Sequence, residues 1–166
     1  MKAVHRAVGP AAFAAVLFSP VAARAESQEN PLRFFEGVTE GVSTVKQLLK
    51  KPFRARTVGH GTIGPDGSLE LVQQVEEEGK PPKSRRWHIR QVAPGRYSGT
   101  MSEASSPVVI EAIDGRYRFR FRIRGSLAVE QWLTPLPGGR SARSALTVRK
   151  LGVAVARSEG LITRIR

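Results

Sequence analysis

Few side chains in this sequence could carry chemistry, and their neighbours narrow what that chemistry could be. Beyond the first 25 residues there are two histidines, His60 and His88, and the chain has no cysteine at all. His60 lies between Gly59 and Gly61, where a backbone can approach another group closely, and it reads as structural. His88 alternates with Trp87 and Ile89, so it shares the wetted side of a strand with Arg86 and Arg90. No GxSxG elbow, phosphate loop, HExxH or dinucleotide fingerprint occurs. Two histidines without cysteine or a close acidic cluster do not make a metal site, so neither metal nor cofactor is expected. The acidic run Glu76-Glu77-Glu78 precedes a turn at Gly79–Pro82, and Lys83, Arg85 and Arg86 follow it. An antiparallel hairpin sets those opposite charges across from each other. A solvated triplet does not offer the separated pKa values that paired catalytic carboxylates need. The expectation is a protein that is not an enzyme. Its rival is an isomerase or hydrolase built on Glu130, Gln73 or His60 inside a barrel.

Two further groups bear on binding. In Val129-Glu130-Gln131-Trp132-Leu133 each face of a strand carries both polar and apolar residues, so either face could turn inward. Trp132 inside, with Glu130 beside it, would give an apolar cavity a polar handle. Alternatively, Trp132 fills one barrel end as core and Glu130 pairs with an arginine outside. The second group is a ladder, Arg116, Arg118, Arg120, Arg122 and Arg124, alternating with Tyr117, Phe119, Phe121 and Ile123. Arg118, Arg120 and Arg122 on one face could meet anionic membrane headgroups or an acidic protein, or could simply be solvated. The aromatics sit on the opposite face and cannot stack bases there, so nucleic acid is not an expected partner.

The elements that must position these residues are strands. In Arg116–Arg124 the apolar and basic residues alternate without a break, a period of two that a helix would scatter round its circumference. Similar alternation, punctuated by turn residues, predicts strands over 53–63, 69–78, 83–92, 96–102, 108–113, 127–136, 141–150 and 153–165. A first strand is expected over 33–42, and Val45, Leu48 and Leu49 lie at helical spacing, predicting a short helical turn over 44–51. Hairpin follows hairpin with no long crossover. The expected fold is therefore all-β: one antiparallel up-and-down β-barrel of about 8–10 strands, lipocalin-like, with a β-sandwich as the alternative.

Composition agrees with a single exported domain. The chain has 166 residues, 27 Lys plus Arg against 14 Asp plus Glu, and a formal charge of +13. Its hydrophobic content of 40% is that of a globular protein rather than a disordered one. Met1–Ala25 opens with Lys2 and Arg6, continues through an apolar stretch, and ends in Ala23-Arg24-Ala25, the small-residue pattern of a signal-peptidase site. Between Arg6 and Arg24 the uncharged run carries two prolines and falls short of the roughly 20 apolar residues a span needs. Cleavage is expected after Ala25. Loss of Lys2, Arg6 and Arg24 takes the formal charge from +13 to +10 and leaves residues 26–166 as a barrel domain, most simply in a bacterial periplasm.

Four segments together carry a resemblance: Phe34-Phe35-Glu36-Gly37-Val38-Thr39-Glu40-Gly41, Arg85-Arg86-Trp87-His88-Ile89-Arg90, Gly95-Arg96-Tyr97-Ser98-Gly99-Thr100 and Glu130-Gln131-Trp132-Leu133-Thr134. They resemble a Gram-negative exported family catalogued as domain of unknown function 3833. The resemblance implies a calycin-like barrel and a lipid-related role. It transfers no functional residue, because that family has none assigned. Its lipid-anchored state does not carry over to a chain without cysteine. The functional expectation is an accessory protein that binds a lipid or other apolar small molecule. Trp87, Phe119, Phe121 and Trp132 would supply apolar walls and Glu130 a polar handle, and arginines would rim the mouth. The alternative is a filled barrel that works only through its basic surface. Oligomeric state is not legible.

Overall fold

The computed structural model describes residues 30–165, so the expected signal peptide and its expected cleavage after Ala25 lie outside the described residues. Ten strands follow a single turn of 3-10 helix at Pro31–Phe35: β1 (Gly37–Gln47), β2 (Phe53–Ile63), β3 (Leu69–Glu77), β4 (Lys83–Ala93), β5 (Arg96–Met101), β6 (Val108–Ile113), β7 (Arg116–Ile123), β8 (Leu127–Pro135), β9 (Ser141–Lys150) and β10 (Val153–Arg164). Each strand pairs antiparallel with the next, and β1 also pairs with β10, so the sheet closes into a lipocalin-like barrel without a free edge. The sandwich alternative is excluded by that closure.

The alternation read from the sequence is the alternation observed. On β7, Phe119 and Phe121 are buried while Arg116, Arg120 and Arg122 are exposed. The turns obey the same local rules, as at Asp114-Gly115, where both residues have positive φ (49° and 72°) and reverse β6 into β7.

The start of the domain departs from expectation. Instead of a strand over 33–42 and a helical turn over 44–51, the chain makes the 3-10 turn and then runs as β1 to Gln47. Pro31 occupies the first helical position, and the Asn30 side chain accepts the Leu32 N–H at 3.0 Å, so the turn is capped locally. Backbone pairing overrides the helical spacing of Val45 and Leu48: Val45 lies opposite both Phe53 and Ser158.

That 3-10 turn closes one end of the barrel. Leu32 and Phe35 are buried against Leu69, Leu71 and Ile89 in the core. Gly61 makes the closure possible, because a Cβ there would lie 1.9 Å from the Phe35 carbonyl oxygen. The inner wall is also uneven around its circumference. Inward positions of β4, β5 and β7 carry Trp87, Ile89, Tyr97, Met101, Phe119 and Phe121. Those of β1, β2, β9 and β10 carry Gly41, Ser43, Ala55, Thr57, Ser144, Ala156, Ser158 and Gly160 among larger residues such as Phe53, Leu146 and Val148. Large residues fill the first half; the many small ones leave the second partly open.

Candidate binding cavity

The small-residue wall encloses a cavity of about 310 Å³ that opens at the end opposite the 3-10 turn. Native interiors pack with few voids larger than a water molecule, so a hollow of this size is a feature of the fold rather than loose packing. Its lining is mixed. Phe53, Val75, Trp87, Leu146 and Val148 are apolar; Ser43, Thr57, Gln73, Gln131 and Ser144 offer hydrogen bonds. Beneath it, towards the closed end, only about 40 Å³ remains between Leu32, Phe35, Ile110, Phe119 and their neighbours.

The boundary between packed and hollow regions is polar and ordered. The Trp87 Nε1–H donates to Gln73 Oε1 at 2.7 Å, and Gln131 Nε2 donates to Ser144 Oγ at 2.8 Å. Phe121 meets the Trp87 ring edge-on, with centroids 5.8 Å apart and planes at 88°. The indole is thereby held from its edge and from its N–H while another part of it lines the cavity.

At the mouth, inward positions of β3 and β4 become charged. Arg85 donates to Glu103 at 2.8 Å, and Lys83 lies 3.3 Å from Glu77 and 3.6 Å from Glu103. Burial works against ionised Glu77, but the Lys80 and Lys83 ammonium groups outweigh it and hold its carboxyl below the ordinary value. The hairpin pairing expected for the acidic run is present at Glu77 and Lys83. Glu76 turns instead to Arg56 on β2, at 3.7 Å.

The expected site residues divide. Trp87 lines the cavity. Phe119 and Phe121 face the interior, but Phe119 borders only the small void and Phe121 packs behind Trp87. Trp132 and Glu130 are on the outside, which corrects both inward placements considered for Trp132. Register decides it: Trp132 lies opposite Arg118, and Glu130 opposite Arg120, with Gln131 turned inward against Phe119. Arg116 and Arg118 stack over the Trp132 ring at 4.6 and 5.7 Å from its centroid, giving it an outer-face role as a platform for cations. Glu130 lies 3.9 Å from Arg149, the outward arginine pairing that was the alternative for it. His60 is exposed on β2, and His88 pairs with Glu70 on the outer face. The groups of the rival enzyme reading are therefore not gathered, since of Glu130, Gln73 and His60 only Gln73 lines the cavity.

The arginine ladder is less open than its sequence implies. Arg118 and Arg120 both reach Glu111, at 2.7 and 3.1 Å. The Arg118 hydrogen bond is the main cause, with help from the Arg120 charge, of a Glu111 carboxyl held below its ordinary value. Arg118 Nε is buried without a hydrogen-bond partner. Arg120 and Arg122 line a shallow outer groove with Glu130 and Arg149.

The small inward residues of β1, β2, β9 and β10 are the part of the site that sequence reading missed. The available signal was a run of Gly, Ser and Ala at alternate positions where core residues were due.

No protein-family model matches the chain, and no curated protein matches it. The resemblance to domain of unknown function 3833 gains no support there, whereas the calycin-like barrel it implied is present. Among solved structures, the S-type phycobiliprotein lyase CPES from Guillardia theta is similar at a TM-score of 0.64 and 9% identity, over 81% of this chain and 90% of that one. Rv2717c from M. tuberculosis is similar at 0.61 and 14% identity, over 82% and 96%. At such identities the likeness is one of fold alone.

Proposed function

We propose that the protein is a non-catalytic accessory protein of the bacterial periplasm that holds one small amphipathic molecule, of the fatty-acid class, in the open half of its barrel. The observation that carries this reading is the cavity of about 310 Å³, within the usual ligand-pocket range of about 300–1,000 Å³. Its walls fit the ligand class. Phe53, Val75, Leu146 and Val148 would cover an apolar body, Gln73 and Gln131 would meet hydrogen-bonding groups, and Arg85 at the mouth would face an anionic end. The signal-like character of Met1–Ala25 supports the compartment. The scattering of His60, Gln73 and Glu130 supports the absence of catalysis. Native mass spectrometry of protein purified from its own organism tests the reading, together with Trp fluorescence during fatty-acid titration. A retained small molecule and a saturable change in the Trp87 signal are expected. Protein that carries nothing and ignores the titration would move the function to its surface.

A further inference from the structure

Two hairpin tips beside the cavity mouth break the rules that shape the rest of the surface. The β1–β2 tip carries Leu48, 61% exposed, and Leu49, 98% exposed; the β9–β10 tip carries Leu151 at 93% and Val153 at 62%. Because β1 pairs with β10, and the Leu48 N–H donates to the Val155 carbonyl at 3.0 Å, the tips form one ledge. Leu49 and Leu151 also have left-handed backbones, with φ of 61° and 49°. Leucine adopts that conformation at a cost that asparagine and glycine largely avoid. Each is thus unfavourable in both solvation and backbone, and no packing within the barrel offsets it. A single exposed leucine needs no explanation; four apolar side chains on one projecting ledge do.

Charge supplies the second, independent observation. Lys46, Lys50, Lys51, Lys150 and Arg157 surround the ledge, all exposed, and no acidic residue occurs within 46–52 or 149–157. Among the described residues none of these five cations has an ion pair. Lys46 and Arg157 lie directly opposite each other in the register, a like-charge pairing that disfavours the sheet. The arginine ladder differs, since Glu111 holds two of its members.

We propose that this ledge docks on an anionic lipid bilayer, its apolar tips entering the interfacial layer and its cations meeting the headgroups. Narrow apolar projections flanked by long basic side chains suit a deformable apolar layer beneath anionic heads better than the flat face of a protein. Docked in this way, the barrel turns its cavity mouth to the lipid. The proposal does not depend on the cavity being occupied, because docking and ligand uptake are read separately.

The test uses protein lacking residues 1–25, since the closed barrel lies wholly within 30–165. It is sedimented with vesicles of three parts phosphatidylcholine to one part phosphatidylglycerol, and with pure phosphatidylcholine. Anionic vesicles should bind it, more weakly as salt rises, and pure phosphatidylcholine should bind it far less. The L49N/L151N variant removes two apolar tips and relaxes two left-handed leucines, so it should fold at least as well and bind at least about tenfold more weakly. The R118Q/R120Q/R122Q variant should bind within about twofold of the parent, its charges lying elsewhere on the barrel. Unchanged binding by L49N/L151N, loss of binding by the ladder variant alone, or no binding to anionic vesicles would each overturn the proposal. The last of these would direct the ledge to a protein partner.

Discussion

Trp87 donates its indole N–H to the side-chain carbonyl of Gln73 at 2.7 Å, across the paired strands β3 and β4, at the level where the packed core gives way to the cavity. The bond fixes the largest side chain of the cavity wall in one orientation and pairs a donor on a buried residue, Trp87 being 9% exposed.

Gln73→Leu should therefore destabilise the barrel by about 1–3 kcal/mol, the cost of an unpaired buried donor, despite adding apolar surface. Gln73→Glu keeps an acceptor and should lose less. Urea denaturation of both variants checks the order.

Filling the hollow should abolish binding without unfolding. Ser158 faces inward on β10 and lines the cavity. Ser158→Phe should weaken binding of a fluorescent fatty acid by at least about tenfold, as occupied volume excludes the ligand. The melting temperature should stay close to that of the parent.

The two tryptophans should report different events. Trp87 lines the cavity, whereas Trp132 lies under Arg116 and Arg118 on the outer face. A fluorescence response to ligand should survive Trp132→Phe and disappear in Trp87→Phe. The reverse result would return Trp132 to the ligand site.

Gly61→Ala should dislodge the 3-10 turn, since its Cβ would sit 1.9 Å from the Phe35 carbonyl oxygen, an atom of the backbone that cannot swing aside. A loss of roughly 3 kcal/mol or more is expected. Hydrogen exchange should show new opening at the closed end before the strands.

Acid should weaken the fold. Hydrogen bonding from Arg118 holds the Glu111 carboxyl below its ordinary value, and the Ser68 hydroxyl and N–H do the same for Asp66. Glu77 is lowered as well, because its lysines outweigh burial. Groups lowered in the folded state add stability above their unfolded values of about 4, and that stability is lost as pH falls through the folded values. Denaturation midpoints should hold steady near neutrality and drop below about pH 4.5, less steeply in Glu111→Gln.

The sequence by itself determined the barrel. Unbroken alternation in residues 116–123 and turn residues between short apolar-alternating runs leave little else that this chain could form, and the strands over 53–63, 108–113 and 141–150 lie where that pattern puts them. It also marked Trp87 as a wall residue, since Trp87 and Ile89 alternate with Arg86, His88 and Arg90. The tertiary structure alone decided the phase of β8. With polar and apolar residues on both faces of Val129–Leu133, local pattern is indifferent, and the stacking of Arg116 and Arg118 on Trp132 agrees with a register that sends the ring outward. It likewise decided the 45–49 region, where pairing to β2 and β10 supplies hydrogen bonds that an isolated helical turn could not match. The cavity itself is a property of the closed ring. Gly41, Ser43, Ala156 and Ser158 are unremarkable along the chain, and only the pairing of β1 with β10 gathers them into one wall of the cavity.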